Sequence, residues 1–183
     1  MRGATGDGPP AGLTRNPPGR AQTFLLLLGG GGGRAAGLAA VAAELARVGV
    51  SAPGDAFYQH DGSGLSRRNL VSTSTLVRVL LAMLGQEGGF ASILPENCRT
   101  GSTLARRLCG LRPGAVRAKD GTMTGVSALS GYLLDREGAA LGVFSVIVNN
   151  SELPEPARVA VIDEIVALVS ARLVPPPPPP PPP

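Results

Sequence analysis

Three runs of strand length occupy the second half of this chain and leave few folds open to it. Residues 116–124, 126–134 and 141–149 each have strand length, Asp135-Arg136-Glu137-Gly138 is a turn sequence, and the third run is almost continuously apolar from Gly142 to Val148. These features predict an antiparallel meander. A helical stripe follows, with Pro156 in its first turn and Ile162, Ile165, Val166, Val169 and Leu173 as its buried face. Ahead of the meander, Leu38, Val41, Ala42, Leu45 and Val48 recur at helical spacing within residues 34–48, and Gly49 is placed to end that helix. Residues 74–84 carry Leu76, Val77, Leu80, Leu81 and Leu84 behind a cap at Ser72 or Thr73. A short helix is expected over residues 103–108. Helices, then hairpins, then a closing helix specify an α+β fold, an antiparallel sheet with flanking helices.

Composition bounds the rest. At 43% apolar residues and 16% charged the chain can bury a core, but with 3% aromatics and no Trp that core must be Leu, Val, Ile and Ala. Residues 1–19 read as a Gly- and Pro-rich flexible leader, 20–174 as the domain, and 175–183 as a nine-proline tail of polyproline II type, a candidate ligand for a polyproline-binding domain. Gly29 to Gly33 reads as a loop between helices. It is not a phosphate cradle, because no Lys-Ser/Thr ending follows. The net charge of +4 comes from scattered Arg residues rather than a basic run, which argues against nucleic acid. Cys98 and Cys109 have no second pair and no neighbouring His, so zinc is not indicated, and they read as two separate thiols in preference to a disulfide. No segment has the ~20 consecutive apolar residues of a membrane span. The first 19 residues lack the apolar stretch of a secretory signal.

The sole lysine, Lys119, lies in Ala118-Lys119-Asp120-Gly121-Thr122-Met123-Thr124-Gly125-Val126. Upstream stand Asp61-Gly62-Ser63-Gly64-Leu65-Ser66-Arg67-Arg68-Asn69, then Ile93-Leu94-Pro95, then Gly101-Ser102-Thr103-Leu104. In content and order these blocks resemble the C-terminal part of a penicillin-binding D-alanyl-D-alanine carboxypeptidase/endopeptidase, of the serine-type class C low-molecular-mass penicillin-binding proteins, over residues 21–173. The resemblance implies part of a transpeptidase domain of the penicillin-binding-protein and β-lactamase kind, without metal or cofactor. It also implies a site outside the cytoplasmic membrane.

An intact site of that family combines Ser-x-x-Lys, Ser-x-Asn and Lys-Thr-Gly in one cleft. The serine attacks the D-Ala-D-Ala carbonyl, and the strand bearing Lys-Thr-Gly holds the peptide by edge pairing and offers an oxyanion N–H. Carried over by position, Lys119 matches the Lys, Gly121 the Gly that lets ligand backbone approach, and Thr122 the residue with the oxyanion N–H. Asp120 stands where Thr is expected. Facing a substrate carboxylate at ~4 Å it would cost about 1 kcal/mol in water-like surroundings and about 4 at an effective dielectric of 20, which at ~1.4 kcal/mol per decade removes one to three decades of affinity. The Ser-x-Asn register falls on Asn16-Pro17-Pro18, and no serine of these 183 residues has a lysine three positions on.

Asp61, Ser63, Ser66 and Asn69 invite a catalytic reading, but a tight turn with Ser caps explains them better, leaving them a supporting role beside the cleft. His60, Asp61 and Ser63, on one short loop, are too close in sequence for a triad. The functional expectation is a D-Ala-D-Ala carboxypeptidase-type fragment acting on peptidoglycan stem peptide or β-lactam, without hydrolysis by this chain alone. The alternatives are a pseudoenzyme or an interaction protein working through its proline tail.

Overall fold

The computed structural model describes residues 18–50, 57–85 and 89–173. Residues 1–17 of the leader, with Asn16 and Pro17, and the proline run 175–183 lie outside the described residues. The order of elements is α1 (Pro18–Leu28), α2 (Gly33–Arg47), β1 (Phe57–Tyr58), β2 (Leu70–Val71), α3 (Thr73–Leu84), a 3₁₀ turn at Phe90–Ile93, β3 (Val116–Met123), β4 (Val126–Leu134), β5 (Ala140–Val148) and α4 (Glu155–Leu173).

The meander is present as the sequence predicts. β3, β4 and β5 form an antiparallel sheet in that order, in register from Val116 opposite Leu133 to Met123 opposite Val126, and from Ser127 opposite Val148 to Leu134 opposite Ala140. β4, the central strand, has both faces covered. Leu129 and Leu133 join Val116, Ala118, Phe144, Ile162, Val166, Leu104 and Leu108 in a core beneath α4, whereas Tyr132 and Leu134 pack with Leu80 on the α3 side. Gly131 permits this register because a Cβ there would lie 2.2 Å from the Arg117 carbonyl oxygen. β3 and β5 are the edges, and β5 has no strand beyond it among the described residues.

Helix ends follow local chemistry. Ser72, not Thr73, caps α3 by accepting the Thr75 N–H at 3.1 Å. Gly49, at φ +79°, closes α2 with bonds from Gly49 N–H to Ala46 O and Val50 N–H to Leu45 O, the double bond of a Schellman end. The glycine run forms the connection between α1 and α2, which cross at 82°. Their close approach needs Gly37, where a Cβ would sit 2.0 Å from Leu25 O. No single helix among the described residues is long and apolar enough to cross a membrane.

Several expectations are corrected. Residues 103–108 form turns rather than a helix: six residues cannot offset helix nucleation, and Cys98 and Cys109 are joined by a disulfide, not separate thiols, which closes this loop on itself. Asn97 organises the same segment from the interior, donating to Leu108 O and Arg112 O and accepting from Val116 N–H. In α4 the buried ridge is Arg158, Ile162, Val166 and Ser170, an i+4 row laid on the sheet. Ile165, Val169 and Leu173, expected inside, are exposed, as are Leu81 and Leu84 of α3 and Ala42 of α2. Of the apolar residues in 24–28, only Leu25 is buried.

Candidate functional site

Ladder parity decides which main-chain groups of β3 face outward. Asn97 N–H donates to Val116 O and Ala118 N–H to Pro95 O on the side away from β4, so the N–H and C=O of Asp120 and Thr122 also point to that open edge. The segment around Glu96 covers the edge only as far as Ala118. Beyond it no main chain among the described residues pairs with the outward N–H groups of Asp120 and Thr122. A Cβ on Gly121 would meet nothing within 4 Å, so the space over the strand is open there.

Side chains alternate across the sheet. Val116, Ala118 and Asp120 face the core beneath α4, and Arg117, Lys119 and Gly121 the other side. The Asp120 side chain therefore leaves the strand on the face opposite Lys119, and the two charged groups meet only at the edge. Its Oδ1 accepts a hydrogen bond from Thr103 Oγ1 at 2.9 Å. Lys119, half exposed, curls around the edge so that Nζ donates to the Asp120 main-chain oxygen and lies 3.3 Å from Asp120 Oδ1. Thr103 belongs to the disulfide-closed loop, which Leu104 anchors in the core and which Arg107 ties to Asp163 of α4 at 2.6 Å.

The Asp61–Asn69 block connects β1 to β2 as a turn braced by its own side chains and by α1, where Gln22 Oε1 accepts Gly62 N–H at 2.8 Å. Asn69 Oδ1 accepts from His60 N–H at 2.7 Å and Asp61 N–H at 3.2 Å, and its Nδ2 donates to Asp61 Oδ1 at 2.9 Å. Ser63 donates from its N–H and hydroxyl to the same carboxylate. The Asn69 bond, with help from Ser63, holds the Asp61 carboxyl below its ordinary range. Ser66 Oγ accepts Arg68 N–H. Ser63 Oγ also accepts Leu65 N–H, so it serves the turn and not His60. A cleft of about 310 Å³ behind this turn is lined by Val41, Leu45, Phe57, Leu70 and Leu76 among others, but by nothing from residues 116–124.

Two groups thus emerge: Asp61, Ser63 and Asn69 in one, Lys119 and Asp120 in the other. Arg67 bridges them, its Nη2 donating to Thr124 O at 3.0 Å in the β3–β4 turn. From below, Arg158 reaches the same turn at Met123 O, 3.4 Å away, and Ser127 Oγ at 3.1 Å. Thr103 and Arg158 were not singled out from sequence. Thr103 lies in a block recognised only as a landmark, and a charged residue in an amphipathic helix reads as surface.

Comparison with known proteins bears on the same segments. The profile of the D-Ala-D-Ala carboxypeptidase 3 (S13) family matches residues 26–171. A D-alanyl-D-alanine carboxypeptidase of Actinomadura sp. is 41% identical over 135 residues, 68% of this chain and 24% of that protein. A penicillin-sensitive carboxypeptidase A of Dictyostelium discoideum is 33% identical over 131 residues, 66% of this chain and 25% of that protein. Penicillin binding protein 4 of Haemophilus influenzae, solved with a β-lactam, superposes with a TM-score of 0.66 at 22% identity, covering 84% of this chain and 38% of its own. A predatory endopeptidase of Bdellovibrio bacteriovorus, solved with an immunity protein, gives 0.60 at 18% identity, covering 82% and 43%. The profile spans most of the chain, including the whole antiparallel sheet: this protein belongs to the D-Ala-D-Ala carboxypeptidase 3 (S13) family, and it spans about a quarter of the length of the curated relatives it matches.

Proposed function

We propose that this chain supplies the peptide-gripping edge of a D-Ala-D-Ala carboxypeptidase-type site and contains no nucleophile for hydrolysis. The observation that supports it most is the open edge of β3, where Asp120 and Thr122 turn N–H and C=O outward beside the only lysine. A stem peptide in extended form pairs with those groups as an added strand. Gly121 leaves room for its backbone, and Thr122 N–H is the donor for a carbonyl oxygen that develops charge. Asp61, Ser63, Ser66 and Asn69 act at one remove, fixing the turn from which Arg67 steadies the end of β3. A β-lactam, as a rigid peptide analogue, addresses the same edge. Acylation needs an activated serine, and none of the 183 residues forms a Ser-x-x-Lys pair.

Amide-resolved NMR of the labelled chain, titrated with an acylated D-Ala-D-Ala stem peptide, tests this. The expected result is a saturable shift of the Asp120 and Thr122 amides. Saturable shifts confined to the cleft behind Asp61, or no shift in folded protein, would overturn it.

A further inference from the structure

We propose that the edge of β3 prefers peptides whose group beside Lys119 and Asp120 is uncharged, a carboxamide or the interior of a longer chain, over peptides ending there in a free carboxylate. This rests on the reading of that edge as a peptide site. Two contacts lead to it. Lys119 Nζ directs hydrogen-bond donors at the Asp120 main-chain oxygen and at Asp120 Oδ1, 3.3 Å away, so the lone ammonium is already partnered by an anion. Thr103 Oγ1 holds that same Oδ1 at 2.9 Å.

The second contact keeps the anion in place. Thr103 is carried by a loop closed through Cys98 and Cys109, packed into the core by Leu104, and joined to α4 by the Arg107–Asp163 pair. Asp120 cannot swing away from Lys119 without breaking the Thr103 bond, and Thr103 cannot follow it without moving the loop. The pair therefore presents no net charge to a ligand. A terminal carboxylate is drawn by Nζ and repelled by the Asp120 oxygens at comparable range, and in a partly exposed site these terms nearly cancel. A carboxamide loses nothing by the pairing. It makes the same main-chain bonds to Asp120 and Thr122, and its N–H₂ finds an acceptor in the carboxylate.

The test compares Nα-acetyl-D-Ala-D-Ala with its C-terminal carboxamide, by NMR titration of folded wild type, Asp120→Thr and Asp120→Asn. Asp120→Asn removes the charge and keeps an acceptor for Thr103, so it guards against a folding defect in the threonine variant. The expected result is that wild type binds the carboxamide at least as tightly as the acid. Both variants should then favour the acid about tenfold or more relative to wild type, with carboxamide affinity changed less than threefold. A wild type that prefers the acid tenfold, or an acid-to-amide ratio unmoved by either variant, overturns the inference while leaving the edge a peptide site. Failure of both peptides to bind any of the three folded proteins overturns the peptide-site reading and the inference with it.

Discussion

Tyr132 donates its hydroxyl to the main-chain oxygen of Leu80 across 2.7 Å, and both residues are buried. The bond joins the central strand to α3 on the face of the sheet opposite α4. Tyr132→Phe should cost about 1 kcal/mol, the net worth of one buried hydrogen bond, read as a lower denaturation midpoint at unchanged slope. Burial raises the Tyr132 hydroxyl above its ordinary 10.0. Because the folded value is the higher one, this stabilisation is complete below pH 10.0 and is lost as pH climbs from there through the folded value. The alkaline fall in stability should be shallower in Tyr132→Phe. Identical alkaline profiles for the two proteins would contradict the assignment.

The disulfide closes a loop with a sequence separation of 11. Loop-closure entropy for about 12 residues gives roughly 3 kcal/mol. Replacing both cysteines by serine should lower thermal stability correspondingly and make the melt insensitive to a thiol reductant, to which wild type responds. A reductant-independent wild-type melt would count against the pairing.

Arg158 is buried in the first turn of α4 with no carboxylate at ion-pair distance among the described residues; its partners are Ser127 Oγ, Leu153 O and Met123 O. Three acceptors in different directions match a guanidinium fork and not a single ammonium. Arg158→Lys should lose about 2 kcal/mol, within the range for hydrogen bonds to charged groups. The amides of residues 122–125 should also broaden, since the β3–β4 turn loses its support from below. Wild-type stability in Arg158→Lys would show that the fork geometry is unimportant.

The Asp61 carboxyl, held low by Asn69 and Ser63, contributes stability above its ordinary value of 3.8 that disappears as pH falls through the depressed folded value. Asn69→Leu removes the Asn69 contribution to the carboxylate as well as the His60 and Asp61 N–H bonds, so the stability gap between wild type and variant should be widest near neutrality and narrow at the acid end without closing. Separation that persists undiminished at low pH would place the effect of Asn69 elsewhere.

The meander was legible because strands 8 and 9 residues long with Asp135 and Gly138 between two of them admit little else. Helix starts and stops at Ser72 and Gly49 were equally local. What sequence did not show depends on contacts between distant segments. The Cys98–Cys109 bridge needs the loop to fold back around Leu104, and the covering of Arg158 and Ser170 in place of Ile165 and Val169 is decided by which ridge of α4 the sheet can reach. At the candidate site, the placement of Lys119, Asp120, Gly121 and Thr122 on one strand was legible from their motif. The turn of Asp120 toward Thr103 was not, because pleat parity becomes known only once the register of β3 against β4 and the packing of α4 are fixed.

Covalent labelling by a fluorescent penicillin tests most directly whether this chain is without a nucleophile of its own. Folded chain incubated with the reagent and run on a denaturing gel should carry no label, while a full-length serine-type relative treated in parallel is labelled. Stoichiometric label on this chain, abolished by replacing one of its own serines, would contradict the account.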